Sequence, residues 1–197
     1  MYKYLSLDLN KLIAGVTTTK GIAQQRYGSY AMQAVESTYG GIYITVRPRY
    51  AEPKKLKVYL TRIYWNEEEN YLCFEERERE DSEFAQTGQV YIPDGSRIFL
   101  MTIRAGWVRT VQVSKPVGNS AILRGLITSQ FDGGGGNFTP IVAPIVYIKM
   151  KPEQNGQLGE LAEDGPDYKA YVEHIRNTVV ERYVRIALPV ATGGSSG

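Results

Sequence analysis

The sequence predicts a mainly β fold: an antiparallel meander of about eight strands that closes into a barrel, followed by one C-terminal α-helix and a final strand. Three observations carry this. Apolar residues recur at every second position in a series of stretches between residues 41 and 150. The connections between those stretches are short and rich in Gly, Pro, Asn and Asp. Such links join antiparallel neighbours, because a parallel return needs a crossover of about a dozen residues or more. Only after residue 150 does a long segment carry apolar residues at helical spacing behind a proline start signal.

The strands follow in order. GIYITVRP (41–48) puts Ile42, Ile44 and Val46 on one face, read as inward, and Tyr43, Thr45 and Arg47 on the other. LKVYLTRIYW (56–65) points Leu56, Val58 and Leu60 inward, then changes phase to Ile63 and Trp65, which predicts a bulge or bend. NEEEN (66–70) is a polar turn, and YLCFEERERE (71–80) returns as the second arm of a hairpin. GQVYI (88–92) leads into the turn PDGS, where Pro93 presets φ and Gly95 tolerates a positive one. RIFLMTIR (97–104), VRTVQVSK (108–115), AILRGLITSQF (121–131) and IVAPIVYIKM (141–150) complete the series. Pro140 and Pro144 each remove a ladder donor, so the start of the last strand belongs at an edge, a bulge or a rim. Closure removes the exposed edges that eight open strands would leave.

The flanks divide the chain into three parts. Residues 1–40 read as an appendage with strand-like alternation in Tyr2–Leu9 and a helix near 21–36, ended by Gly40 and Gly41. Residues 41–190 form the barrel domain, and 191–197 a flexible glycine- and serine-rich tail. A polar loop over 151–165 precedes a helix near 166–180, with Pro166 in its first turn and Tyr168, Tyr171, Val172, Ile175 and Val179 on one face. YVRIALPV (183–190) is the final strand.

Composition narrows the function. A net charge of +2, from 23 basic and 21 acidic residues, gives no general pull toward nucleic acid or an anionic membrane, so neither is an expected partner. The lone Cys73 excludes an internal disulfide and multi-cysteine metal sites, and the lone His174 excludes histidine-rich ones, so no metal or cofactor is expected. MYKYLSLDLNKL lacks the apolar core of a signal peptide, and no apolar run is long enough to span a membrane. The expected compartment is the cytoplasm, or a virion if the chain is an assembly subunit.

Eight meandering strands, then a helix, then a strand: over residues 41–190 this order resembles the lipocalin and wider calycin barrels. YGGIY (39–43) holds a glycine with an aromatic two places on, where that family carries Gly-x-Trp. The resemblance implies a barrel mouth that admits a small, often apolar ligand, and a helix packed on the outside. YGGIYITVRPRYAEPKKLKVYLTRIYWNEEENYLCFEE, with GQVYIPDGSRIFLM and LRGLITSQFDGGGG, also resembles the β-rich effector-sensing half of some bacterial transcription regulators. That likeness implies a sensing module.

The candidate pocket lining is Ile44, Val58, Leu60, Phe74, Leu100 and Trp107, on or beside strands whose apolar residues point inward. FDGGGGNF lacks the lysine and following helix of a phosphate-binding loop. It reads as a link between the last two strands that can act as a flap, with Phe131 and Phe138 as anchors and Gly133, Gly134, Gly135 and Gly136 between them. EERERED (75–81) reads as a solvated strand end, with Glu76, Glu78 and Glu80 on one face and Arg77 and Arg79 on the other. His174 reads as a packing or surface residue, because no nucleophile signature accompanies it. Cys73 reads as a buried structural thiol. These features point to a non-enzymatic barrel that binds or senses a small, partly apolar molecule. The alternative is a structural subunit of a β-rich assembly such as a phage tail or connector, with a homo-oligomer or protein partner. A calycin-like enzyme comes third.

Overall fold

The computed structural model describes residues 32–68, 71–92, 97–104, 107–114, 121–132, 136, 138–153, 155–181 and 183–185. Its elements are α1 (Met32–Tyr39), β1 (Gly41–Pro48), β2 (Leu56–Asn66), β3 (Tyr71–Arg77), a 3-10 turn (Ser82–Phe84), β4 (Thr87–Tyr91), β5 (Arg97–Arg104), β6 (Trp107–Ser114), β7 (Ile122–Asp132), β8 (Phe138–Lys149), β9 (Gly159–Leu161) and α2 (Tyr168–Val180). All eight expected strands are present and every pairing is antiparallel.

Neighbours in sequence are neighbours in the sheet, as short turns require, and β1 also pairs with β8 and β2. The lacing is uneven. β3 meets β4 only over Cys73–Glu75, and β8 meets β1 only over Val146–Lys149. The eight strands therefore form a curled half-barrel that is not fully closed, and the expected complete closure is not met. Short strand overlap is the physical cause, since a wall is continuous only where ladders run its full height.

Two apolar clusters lie on opposite faces of the sheet. The inner one fills the end of the half-barrel beneath β1 and includes Tyr43, Ile63, Trp65, Leu72, Phe74 and Leu100. Tyr39, at the end of α1, enters it and accepts a 2.7 Å hydrogen bond from the Tyr43 hydroxyl on its carbonyl. The outer cluster joins Ile44, Val46, Leu56 and Val58 to Leu161 and Tyr171, with Tyr168, Val172 and Ile175 against it. Helix α2 thus lies on the outside of the sheet, as expected.

This arrangement corrects the reading of β1 and β2. The alternation holds, but the faces are inverted: Ile44 and Val46 lie outside beneath α2, and Tyr43, Thr45 and Arg47 face inward. The change of apolar phase along β2 is not a bulge. Its register with β1 and β3 runs without a slip. Leu56 and Val58 are buried on the outer face, and Tyr59, Thr61, Ile63 and Trp65 on the inner one. A strand covered on both sides mixes two buried stripes, which mimics a bulge in sequence.

Other expectations shift at the ends. β9 pairs with β2 inside the segment read as loop, and it precedes α2 rather than following it. Residues 183–185 are not strand, and 186–190 lie outside the described residues. Val179 is exposed, and Thr178 takes the buried position one residue earlier on α2. The Tyr2–Leu9 strand and residues 21–31 of the first helix also lie outside the described residues.

The prolines of β8 sit as expected. Lys149 N–H donates toward β7, to Ala121 O, and Met150 N–H toward β1, to Ile42 O. The β7–β8 register runs without a slip, so Pro140 and Pro144 share the parity of Met150. Their missing donors face away from β7, along the part of β8 that β1 does not reach. The prolines therefore blunt a strand edge without weakening the hairpin.

Candidate functional site

The inner face changes character toward the end where β1 passes to β2, β3 to β4 and β7 to β8. Inward positions alternate along each strand, so register decides which polar residues meet. Thr45 and Thr61 share a 2.7 Å hydrogen bond between their hydroxyls. Above them stand Arg47 of β1, Tyr59 of β2, Glu76 of β3, Arg109 of β6 and Tyr147 of β8. Over this layer opens a cavity of about 600 Å3, walled in part by Tyr50, Ala51, Phe84 and Phe131.

Glu76 organises the floor. Its side chain is 2% exposed, as is that of Arg79. Arg79 Nη1 donates to Glu76 Oε2 at 2.7 Å, the Gln86 N–H donates to the same oxygen at 3.1 Å, and Arg109 Nη2 donates to Oε1. Burial acts to lower the Arg109 pKa, but the Glu76 carboxylate and the neighbouring hydroxyls of Tyr59, Tyr147 and Tyr50 together outweigh it, and the guanidinium is raised above its ordinary range. Arg79 is also raised, with burial opposing and Glu76, Tyr59 and Asp81 together prevailing. The Tyr59 hydroxyl is pushed up to about 12, first by burial and then by the Glu76 charge. The Tyr147 hydroxyl is raised for the same first reason.

The stretch EERERED therefore does not end as a solvated strand. The strand stops at Arg77, and Glu78 adopts a positive φ of 51°. That turn breaks the alternation and brings Arg79 back under the sheet beside Glu76. Asp81 follows, accepting from Arg79 Nε at 2.9 Å and from Lys57 Nζ. Burial acts to raise the Asp81 pKa, and Lys57 and Arg79 together bring it below the usual carboxylate range.

Around the mouth, five cationic side chains line the cavity: Arg47, Arg49, Lys57, Arg79 and Arg109. Four have carboxylate partners: Arg49 pairs with Glu52 and Glu160, Lys57 with Asp81 and Glu160, Arg79 with Glu76 and Asp81, and Arg109 with Glu76. Arg47 has none among the described residues. It is 5% exposed, its Nη1 donates to the Pro48 carbonyl at 3.0 Å, and its guanidinium lies 4.2 Å from the Tyr50 ring centroid. Among the described residues its Nε has no hydrogen-bond partner, nor have the hydroxyls of Tyr50 and Tyr59.

The residues singled out in sequence scatter across this structure. Phe74 and Leu100 are in the inner cluster, and Ile44, Val58 and Leu60 are on the outer face under α2. None of these five lines the cavity. The Trp107 side chain lies outside what is described. Of the flap, Phe131 lines the cavity, Phe138 is 48% exposed, Gly136 has a positive φ of 78° with open space around it, and Gly133, Gly134 and Gly135 lie outside the described residues. Cys73 is half-buried against the inner cluster. His174 sits on α2, on the opposite face of the sheet from the cavity, with Nδ1 3.3 Å from Arg124 Nη2.

No family model, curated protein or solved structure matches this chain. Among the described residues, no helix is long and apolar enough to cross a membrane.

Proposed function

We propose that this chain is a non-enzymatic binding module that holds a small, partly apolar molecule in the cavity at the mouth of the half-barrel, as a carrier or sensor. The observation that carries the reading is the cavity itself. Its volume of about 600 Å3 suits a small organic ligand, and aromatic wall residues sit beside a charged floor. The architectural likeness to calycin barrels, whose mouths admit such ligands, supports it by analogy. The chemistry of the lining favours binding over catalysis. Ser129 is there, but the chain's single histidine is on the far face of the sheet and cannot serve as its base. Glu76 spends both oxygens on three donors.

The test is a screen of soluble fragments by two-dimensional amide NMR on the labelled chain. Binding is expected to shift resonances of Tyr50, Phe84, Gln86 and Phe131 together. A screen in which no fragment perturbs this set overturns the reading.

One observation favours the structural-subunit alternative. Beyond Thr128, and before Val146, the described pairings of β7 and β8 are to each other alone. The resulting arm exposes Phe138 and Val142. Light scattering over a range of concentrations separates the readings, because a chain that stays monomeric throughout is not a self-assembling subunit.

A further inference from the structure

We propose that the cavity takes a ligand through one singly charged oxyanion, a carboxylate or phosphodiester, received by Arg47 with the Tyr50 hydroxyl beside it. The inference rests on the cavity being a binding site, and it adds the chemistry of the ligand's head.

A buried cation is stable when a counter-charge and hydrogen-bond acceptors replace its water. Every other lining cation has that replacement from a carboxylate of the chain. Arg47 has one carbonyl and one aromatic face, neither of which carries a full negative charge. With Nη1 given to Pro48, what remains is the edge of the guanidinium formed by Nε and Nη2. That edge has the spacing that grips two oxygens of a carboxylate or phosphate. Nε is the unpaired atom on it. Tyr50, stacked on the same guanidinium, adds a second unpaired donor.

The count also sets the charge. Among the lining cations only Arg47 lacks a carboxylate partner within the described residues, and the lining also holds the carboxylates Glu83 and Asp132, so the site favours a single negative charge placed at Arg47 over a multiply charged ligand. A polyphosphate would have to displace Glu76, Asp81 or Glu160 from partners they already hold. Phe84 and Phe131 at the wall leave the rest of the ligand in apolar surroundings. The ligand class is a small acid or diester with an apolar body.

The experiment uses matched pairs: hexanoate against hexanamide, and diethyl phosphate against triethyl phosphate. The first pair changes the charge and little of the shape, and the second changes the charge and adds one ethyl group. Affinities come from NMR titration of the whole chain at low and high salt, and of the Arg47→Met variant, which keeps an unbranched apolar stem. The expected result is that at least one anion binds about tenfold or more tightly than its neutral mate, as for one charged hydrogen-bonded contact. High salt should weaken the anion alone. Arg47→Met should abolish the preference, bringing the affinity for the anion down to that for its neutral mate. Which anion wins separates carboxylate from phosphodiester. Equal binding of anion and neutral mate overturns the oxyanion assignment and leaves the cavity reading standing. Binding by none of the four overturns both. Should Arg47→Met fail to fold, Tyr50→Phe removes the second donor and is expected to reduce the preference several-fold; an unchanged ratio there counts against the assignment.

Discussion

Replacing Glu76 by Gln tests the charged floor most directly. Three donors converge on this carboxylate: Arg79 Nη1, Arg109 Nη2 and the Gln86 N–H. A carboxylate accepts all of them with two oxygens. The amide has one acceptor oxygen and presents an NH2 group where the other oxygen stood. One guanidinium therefore loses its acceptor and meets a donor, and both lose the negative charge between them. The side chains of Glu76 and Arg79 are 2% exposed and that of Arg109 is 14% exposed, so water replaces the lost acceptor only in part. Removing one partner of a buried pair costs about 3–5 kcal/mol. Glu76→Gln should fall within that range in urea unfolding followed by far-ultraviolet circular dichroism and tryptophan emission. The double variant Glu76→Gln/Arg109→Met should recover part of the loss, because it removes one of the stranded cations. A loss of under about 1 kcal/mol would show a solvated surface pair instead, and the reasoning about the floor would fall.

Three further outcomes follow from other parts of the fold. A Cβ on Gly125 would stand 1.9 Å from Gln112 O and 2.7 Å from Val113 Cα, both backbone, so Gly125→Ala should cost about 3 kcal/mol or more, at or beyond the top of the overpacking range, in the same urea assay. Thr45→Val strands the Thr61 hydroxyl and should cost about 1–3 kcal/mol, while Thr45→Val/Thr61→Val removes both partners and should unfold close to the parent midpoint. His174 has its pKa lowered, by burial first and then by Arg124, with Glu173 opposing. The folded chain thus binds a proton there less readily than the unfolded chain, and the stability this site contributes above pH 6.5 should decline as pH falls below that value toward the lowered pKa. His174→Gln should flatten that part of the profile of melting temperature against pH.

The strands were legible because two independent signals agreed on them. Alternation marked GIYITVRP and LKVYLTRIYW, and turn residues such as those of PDGS bounded the rest. The edge role of Pro140 and Pro144 was legible for a single-residue reason, the missing N–H. Which face of a strand points inward was not legible. Alternation separates Tyr43, Thr45 and Arg47 from Ile44 and Val46, but it is silent on which set another layer covers. Apolarity suggested the wrong set, because α2 buries Ile44 and Val46 on the outside. The phase change in β2 held the missing signal. Read as a second buried stripe, it places Tyr59 and Thr61 inward, their partners Thr45 and Tyr43 with them, and Arg47 by alternation along β1. The kink at Glu78 had no such signal, since any alternation rule assigns Arg79 to the face opposite Glu76.

Arg47 is the point where stability and function separate. A sequence selected for stability alone would place a carboxylate near this guanidinium, as it does for Arg79 and Arg109, or an apolar residue in its place. Arg47→Met removes an unneutralised buried charge and keeps an unbranched apolar stem in its place. Replacing buried ionic groups by apolar ones of similar volume is often neutral or stabilising by about 1–4 kcal/mol. The cation–π attraction between Arg47 and the Tyr50 ring disappears with the charge, which offsets this by about 0.5–2 kcal/mol. The free Arg47→Met variant should therefore be no less stable than the parent in urea, while its anion preference disappears. An Arg47 of purely structural value gives the opposite pattern: a destabilised variant with its selectivity intact. The two measurements on one substitution decide whether this arginine holds the sheet or waits for an anion.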